Sequence, residues 1–130
     1  MLFHVWFSTK YRRQTLVGET ARQAKDLLWE CARRHRYQVV DLASNGDHVH
    51  VLLRASDRRE LAAIMRTLKC VSSKELRKAM HAAGAGIPAK ATWARRYEFR
   101  QEPEDRLSSL QRYIREQDSP PADAPRGSVG

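Results

Sequence analysis

The stretch N-G-D-H-V-H-V-L-L, residues 45–53, decides how the rest of this chain is read. S-N-G-D is a hairpin signal, and it joins a strand over 37–43 (Y-Q-V-V-D-L-A) to a strand over 48–54. Side chains on a strand alternate faces, so Val49, Val51 and Leu53 turn one way and His48 and His50 the other. Two such histidines have Cα atoms about 6.6–7 Å apart, close enough for their rings to converge on one ion. Neutral imidazole is the commonest side-chain ligand for transition metals and suits manganese or zinc. The alternative is a pair of histidines that hydrogen-bond to backbone or to neighbouring side chains, which the spacing alone leaves open.

Working outward, residues 2–9 alternate and are rich in aromatic and branched side chains, which predicts a first strand. A basic loop follows, Lys10-Tyr11-Arg12-Arg13. From Glu19 to Arg36, the residues Ala21, Ala24, Leu27, Leu28, Cys31 and Ala32 recur at steps of three and four, the spacing of a helix with one buried stripe. Asp57 with Glu60 is a capping box, and Leu61, Ile64, Met65, Leu68, Ser72 and Leu76 form the inward face of a second helix. A-A-G-A-G-I-P ends it. A fourth strand is predicted over 91–100, and Pro103-Glu104-Asp105 opens a third helix carrying Leu107, Leu110 and Ile114 to about Asp118. The order β-α-β-β-α-β-α predicts an α+β fold, a ferredoxin-like or RRM-like antiparallel sheet with helices on one face. Residues 1–118 read as one domain, and 119–130, rich in proline and glycine, as a disordered tail.

Composition narrows the partners. Of 130 residues, 42% are hydrophobic, which fits a single domain with a modest core. The net charge of +9 is unusual and points to a polyanion, with nucleic acid ahead of an acidic membrane. Lys10, Arg12, Arg13, Lys69, Lys74, Arg77, Lys78, Arg95, Arg96 and Arg100 fall in the first loop, the second helix and the fourth strand, where they could grip phosphates. Tyr11, Trp93 and Tyr97 lie among them and could stack on unpaired bases, whereas Phe3, Trp6 and Phe7 read as core. Cys31 and Cys70 have no zinc or disulfide spacing and read as buried thiols of a reducing compartment. The apolar start is too short to span a membrane and lacks a leader's features, so the expected location is the cytoplasm, with the nucleoid.

In L-Q-R-Y-I-R-E-Q, Tyr113 and Gln117 are four residues apart and share one helical face. A hydroxyl and a carboxamide would then reach the same place on the sheet, although Tyr113 packed beside Leu110 and Ile114 is the plainer reading. Tyr97 is a rival nucleophile, but it lies on a predicted strand rather than on a helix.

Three motifs in order carry a resemblance: F-S-T-K-Y-R-R near the start, D-H-V-H-V-L-L in the middle and R-Y-I-R-E-Q near the end. Together with L-V-G-E and L-K-C-V-S-S-K-E-L-R, they make residues 2–117 resemble the single-tyrosine transposases of the IS200/IS605 insertion sequences, which are HUH nucleases (His, hydrophobe, His). The resemblance implies that His48, His50 and Gln117 bind a divalent metal, Mg²⁺ or Mn²⁺, and that Tyr113 is the nucleophile. Lys10, Tyr11, Arg12, Arg13, Lys69, Ser73, Lys74, Arg95 and Arg96 are the implied DNA contacts. The implied reaction cuts and rejoins single-stranded DNA folded into hairpins at element ends, through a 5′-phosphotyrosine and a free 3′-hydroxyl. The cut position is set by base pairing with short DNA guides. A homodimer is implied, each tyrosine helix completing the partner's site, with R-Q-E-P (100–103) as hinge.

The chain departs from the family pattern twice. Cys70-Val71-Ser72-Ser73 stands where relatives carry G-R-S-S, and Gln101-Glu102 replaces a small glycine-containing stretch. A host-adapted relative that nicks hairpins without transposing itself therefore stays open. So do a non-catalytic nucleic-acid-binding module on the same sheet and a metallohydrolase that uses water as nucleophile.

Overall fold

The computed structural model describes residues 1–9, 18–82 and 93–118. In chain order the elements are β1 (Leu2–Ser8), α1 (Gly18–Arg34), β2 (Gln38–Asn45), β3 (His48–Arg54), α2 (Arg58–Ala82), β4 (Glu98–Glu102) and α3 (Leu107–Gln117), with a 3-10 turn at Glu104–Arg106. The strands form one antiparallel sheet in the order β2-β3-β1-β4, the α+β arrangement that the sequence predicts. Gly46 closes the β2–β3 hairpin at φ 63°, a left-handed conformation that glycine adopts without steric cost. Asp57 accepts a hydrogen bond from the Glu60 N–H at 2.8 Å, and the Glu60 carboxylate accepts from the Ser56 N–H at 3.0 Å, so α2 starts where expected.

Alternation on the central strands sorts their side chains. Phe3, Val5 and Phe7 of β1 with Val49, Val51 and Leu53 of β3 face α1 and α2, where Leu28, Leu61, Met65, Leu68 and Leu76 complete the main core. Fully burying each such side chain contributes about 1.5–3 kcal/mol. The residues in the opposite phase are Leu2, Leu52 and Ala43, and they pack against Leu110 and Ile114 of α3. The expectation of all helices on one face thus holds for α1 and α2, whereas α3 covers the other. The physical reason is that this second apolar patch needs a cover of its own. A bulge in β2 between Val39 and Asp41 shifts the register, which puts Asp41 opposite Leu52, where its carboxylate accepts from Arg115 Nε of α3 at 3.2 Å.

Other expectations change in detail. The stretch predicted as a strand from residue 91 makes one bridge, Thr9 to Trp93, and becomes regular only at Glu98. Trp93 is not an exposed stacking ring. Its indole is buried edge-on to Phe7 at 5.1 Å and donates to Ser72 Oγ at 2.8 Å, because pairing with Thr9 turns it into the main core. Arg100, Gln101 and Glu102 are strand residues paired with His4, Phe3 and Leu2, so R-Q-E-P is no loose hinge up to Pro103. Helix α1 ends at Arg34 rather than Arg36, which takes φ 58° while Tyr37 N–H closes back on Ala32 O at 2.9 Å. Cys31 is buried as expected, but Cys70 is exposed, because it falls off the stripe formed by Leu61, Met65, Leu68 and Leu76. The basic loop 10–13, the helix-ending residues 83–88 and the tail 119–130 lie outside the described residues.

Candidate active site

His48 and His50 project from β3 on the face that α3 covers, as the alternation predicts, and their ring centroids are 6.5 Å apart. The Nδ1 atom of His48 pairs with the Asp47 carboxylate beside it. The Nδ1 atom of His50 lies 3.1 Å from Nε2 of His4, on the neighbouring strand β1. His4 was not singled out from the sequence. Its only local signal is its phase, opposite to Phe3, Val5 and Phe7, and its partner is 46 positions away.

Tyr113 comes down on this group from α3. Its ring stands perpendicular to His4 at 5.7 Å and steeply tilted to His50 at 6.0 Å, and it is 39% exposed. The helix is held by its buried residues Leu110 and Ile114 and by contacts at both ends. Glu104, in the turn before it, accepts from Arg54 at 2.9 Å. Asp118, just after it, accepts the Ser44 N–H of β2 at 3.0 Å and pairs with Lys25 of α1. Gln117 is half-buried one turn beyond Tyr113, on the part of α3 that runs toward β2.

Burial pushes the His50 imidazole down to about 4, with His4 and His48 adding to the fall. Burial also lowers His4, partly opposed by Glu102 and reinforced by Arg100. Both rings are therefore neutral at pH 7 and carry a lone pair. A Nδ1–H on His48 donating to Asp47, and one on His50 donating to His4, would leave the two Nε2 atoms as acceptors or ligands. That donor set fits a divalent ion. Among the described residues no three His, Cys, Asp or Glu side chains gather around one point.

The basic residues converge elsewhere. Lys69, Ser73, Arg77 and Arg95 line a groove of about 490 Å³ between α2 and the segment 93–97, on the main-core side of the sheet. Lys69 donates to the carbonyls of Ala94, Arg95 and Arg96 at 2.7, 3.0 and 3.4 Å, and burial lowers its ammonium. It therefore anchors the segment that presents Arg95 and Arg96, both exposed. Ser73 is buried in the groove wall, and Lys74 is exposed beside it on α2. Tyr97 is half-buried under Lys69 and away from the histidines. Lys10, Tyr11, Arg12 and Arg13 lie outside the described residues. No helix among the described residues is long and apolar enough to cross a membrane.

Proteins similar to this chain include transposases. The chain is 34% identical over 74 residues to the ISDra2 transposase TnpA of Deinococcus radiodurans, covering 57% of this chain and 53% of that one. It is 30% identical over 71 residues to the transposase of insertion sequence element IS200 from Salmonella typhimurium, covering 55% and 47%. The match thus spans about half the length of these curated relatives. A crystal structure of a candidate transposase from Deinococcus radiodurans superposes with a TM-score of 0.69 at 28% identity, covering 92% of each chain. The REP-associated tyrosine transposase, solved bound to a REP hairpin, shares the fold with a TM-score of 0.58 at 16% identity, covering 87% of this chain and 63% of that one. The model of the family described as "Transposase IS200 like" matches residues 1–117, and with the histidine pair and the tyrosine helix on one sheet face, this chain belongs to that family.

Proposed function

We propose that this member of the IS200-like transposases cuts and rejoins single-stranded DNA, with Tyr113 as nucleophile and a divalent ion, Mg²⁺ or Mn²⁺, held by His48, His50 and Gln117. The observation that carries the reading is the meeting of the exposed Tyr113 ring with the His4–His50 pair. A bound ion would polarise a non-bridging phosphate oxygen as a Lewis acid. Tyr113 supplies the attacking oxygen. Its bond to phosphorus forms as the bond from phosphorus to the 3′ oxygen breaks, leaving a 5′-phosphotyrosine and a 3′-hydroxyl. The phenolic proton passes to water at the exposed edge, and the departing oxygen takes one from water. Attack by a 3′-hydroxyl on the phosphotyrosine reverses the step, so strands rejoin without a nucleotide cofactor.

The net charge of +9 and the groove with Arg77 and Arg95 support a nucleic-acid substrate. That the REP-associated relative binds a hairpin supports hairpin-bearing strands in particular. A homodimer that exchanges α3 between subunits, in the cytoplasm with the nucleoid, completes the reading. The test is incubation with hairpin-bearing single-stranded DNA and Mn²⁺, then denaturing electrophoresis. A protein–DNA conjugate that survives denaturation is expected from wild type and absent from Tyr113→Phe. Cleavage that persists in Tyr113→Phe would mean water is the nucleophile, and hairpin binding without any conjugate would favour a non-catalytic binding module.

A further inference from the structure

Beside Tyr113, away from His48, the α3 face holds a cavity of about 420 Å³. Its walls include His4, Trp6, Arg100, Glu102, Arg106 and Tyr113. The register explains the grouping: Glu102 and Arg100 of β4 lie opposite Leu2 and His4 of β1, on the same sheet face as Trp6. The volume falls within the range of small-molecule sites, about 300–1,000 Å³, and suits one nucleoside rather than a duplex.

Glu102 is the unusual member. Its side chain is 5% exposed, and its nearest charged partner, Arg106 Nη1, is 3.6 Å away. No hydrogen bond to its carboxylate is made among the described residues. A buried carboxylate without donors is costly and is normally satisfied by something. Arg106 and Arg100 are exposed at the rim, where they can meet phosphates. Trp6 is half-buried, with its ring 5.0 Å from His4, and offers an apolar surface to a base.

We propose that this cavity holds the base of the nucleotide next to the scissile phosphate, and that Glu102 reads its edge by accepting N–H donors. The ligand is an unpaired base of single-stranded DNA stacked on Trp6. Guanine fits best, because its N1–H and N2–H lie side by side and match the two carboxylate oxygens. Cytosine and adenine each offer one amino group, while thymine turns carbonyl oxygens toward the carboxylate on both sides of its single N–H. Thymine is therefore the base rejected. The placement next to the cut rests on Tyr113 being the nucleophile, but the base preference does not.

The test separates the two. A pool of hairpins flanked by randomised single strands is bound to Tyr113→Phe protein, which forms no conjugate, and the retained DNA is sequenced. One position is expected to favour guanine over thymine by about tenfold, with the bias lost in Glu102→Gln. Bias that comes from pairing with a DNA guide would survive that change. Should Glu102→Gln fail to fold, wild-type protein is offered the selected strand with 1-methylguanine at that position, and a loss of about tenfold in affinity is expected. No biased position, a bias that Glu102→Gln leaves intact, or indifference to 1-methylguanine would each overturn the proposal. Absence of any conjugate with wild-type protein would instead sink only the nucleophile assignment.

Discussion

On the face covered by α1 and α2, the two central strands present Phe3, Val5, Phe7, Val49, Val51 and Leu53, all buried and all apolar. On the face beneath α3, the same strands present Leu2, His4, Trp6, His48, His50 and Leu52. The first face is closed by two long helices, the second by one helix of eleven residues that leaves a cavity and a partly exposed phenol. Alternation lets one strand serve both ends, with stability bound to one phase and polar chemistry to the other. The teaching is that Leu2, Leu52 and Ala43 give the second face just enough apolar surface to seat α3, while the polar members stay within reach of solvent.

Four tests probe this contrast. The largest effect belongs to the closed face. Phe3→Ala is expected to cost about 3–5 kcal/mol by urea denaturation, whereas Tyr113→Phe, on the open face, should move the midpoint by less than about 0.5 kcal/mol. If Tyr113→Phe proves as costly as Phe3→Ala, the division of labour between faces is wrong. Next, His4→Leu removes the partner of His50 Nδ1 and should weaken Mn²⁺ binding about 10- to 100-fold by calorimetric titration. Unchanged affinity would reduce His4 to packing.

The third test is pH. The folded His50 sits near 4 and the unfolded one near 6.5, so between those values the unfolded chain binds the extra proton. The stability linked to this ring is complete above about pH 6.5 and is lost as pH falls toward 4. Thermal melts should drop from pH 7 to pH 5 and drop less steeply in His50→Gln. Equal slopes would place the titrating group elsewhere. The fourth test is Asp118→Ala, which removes the acceptor for Ser44 N–H and should loosen α3 by about 1 kcal/mol, read as faster amide exchange in that helix. No change in exchange would mean that Leu110 and Ile114 alone hold it.

Much of this was legible in the chain. Three- and four-residue spacing located the helices, Asp57 and Glu60 fixed the start of α2, and N-G before an alternating run fixed the hairpin and the shared direction of His48 and His50. The family match over 1–117 agrees with the resemblance to single-tyrosine transposases, and the roles of Tyr113 and Gln117 are what that resemblance implies. What local pattern could not supply was pairing between distant strands. His4 meets His50, and Glu102 comes up beside Leu2, only once the register of β1 with β3 and β4 is set. Trp93 looked like a free ring because nothing nearby in sequence announces Thr9 and Ser72 as its partners. The side taken by α3 was hidden too, since a lone leucine such as Leu2 or Leu52 in an alternating strand does not advertise that it needs covering.

The grip of Asp118 on Ser44 has a reach beyond the helix that it fastens. Ser44 N–H points off the outer margin of β2, where an incoming extended segment would otherwise find a donor. Any foreign strand that docks along that border must first evict the end of the tyrosine-bearing helix. The end of α3 thus guards one rim of the sheet, while β4 forms the opposite rim.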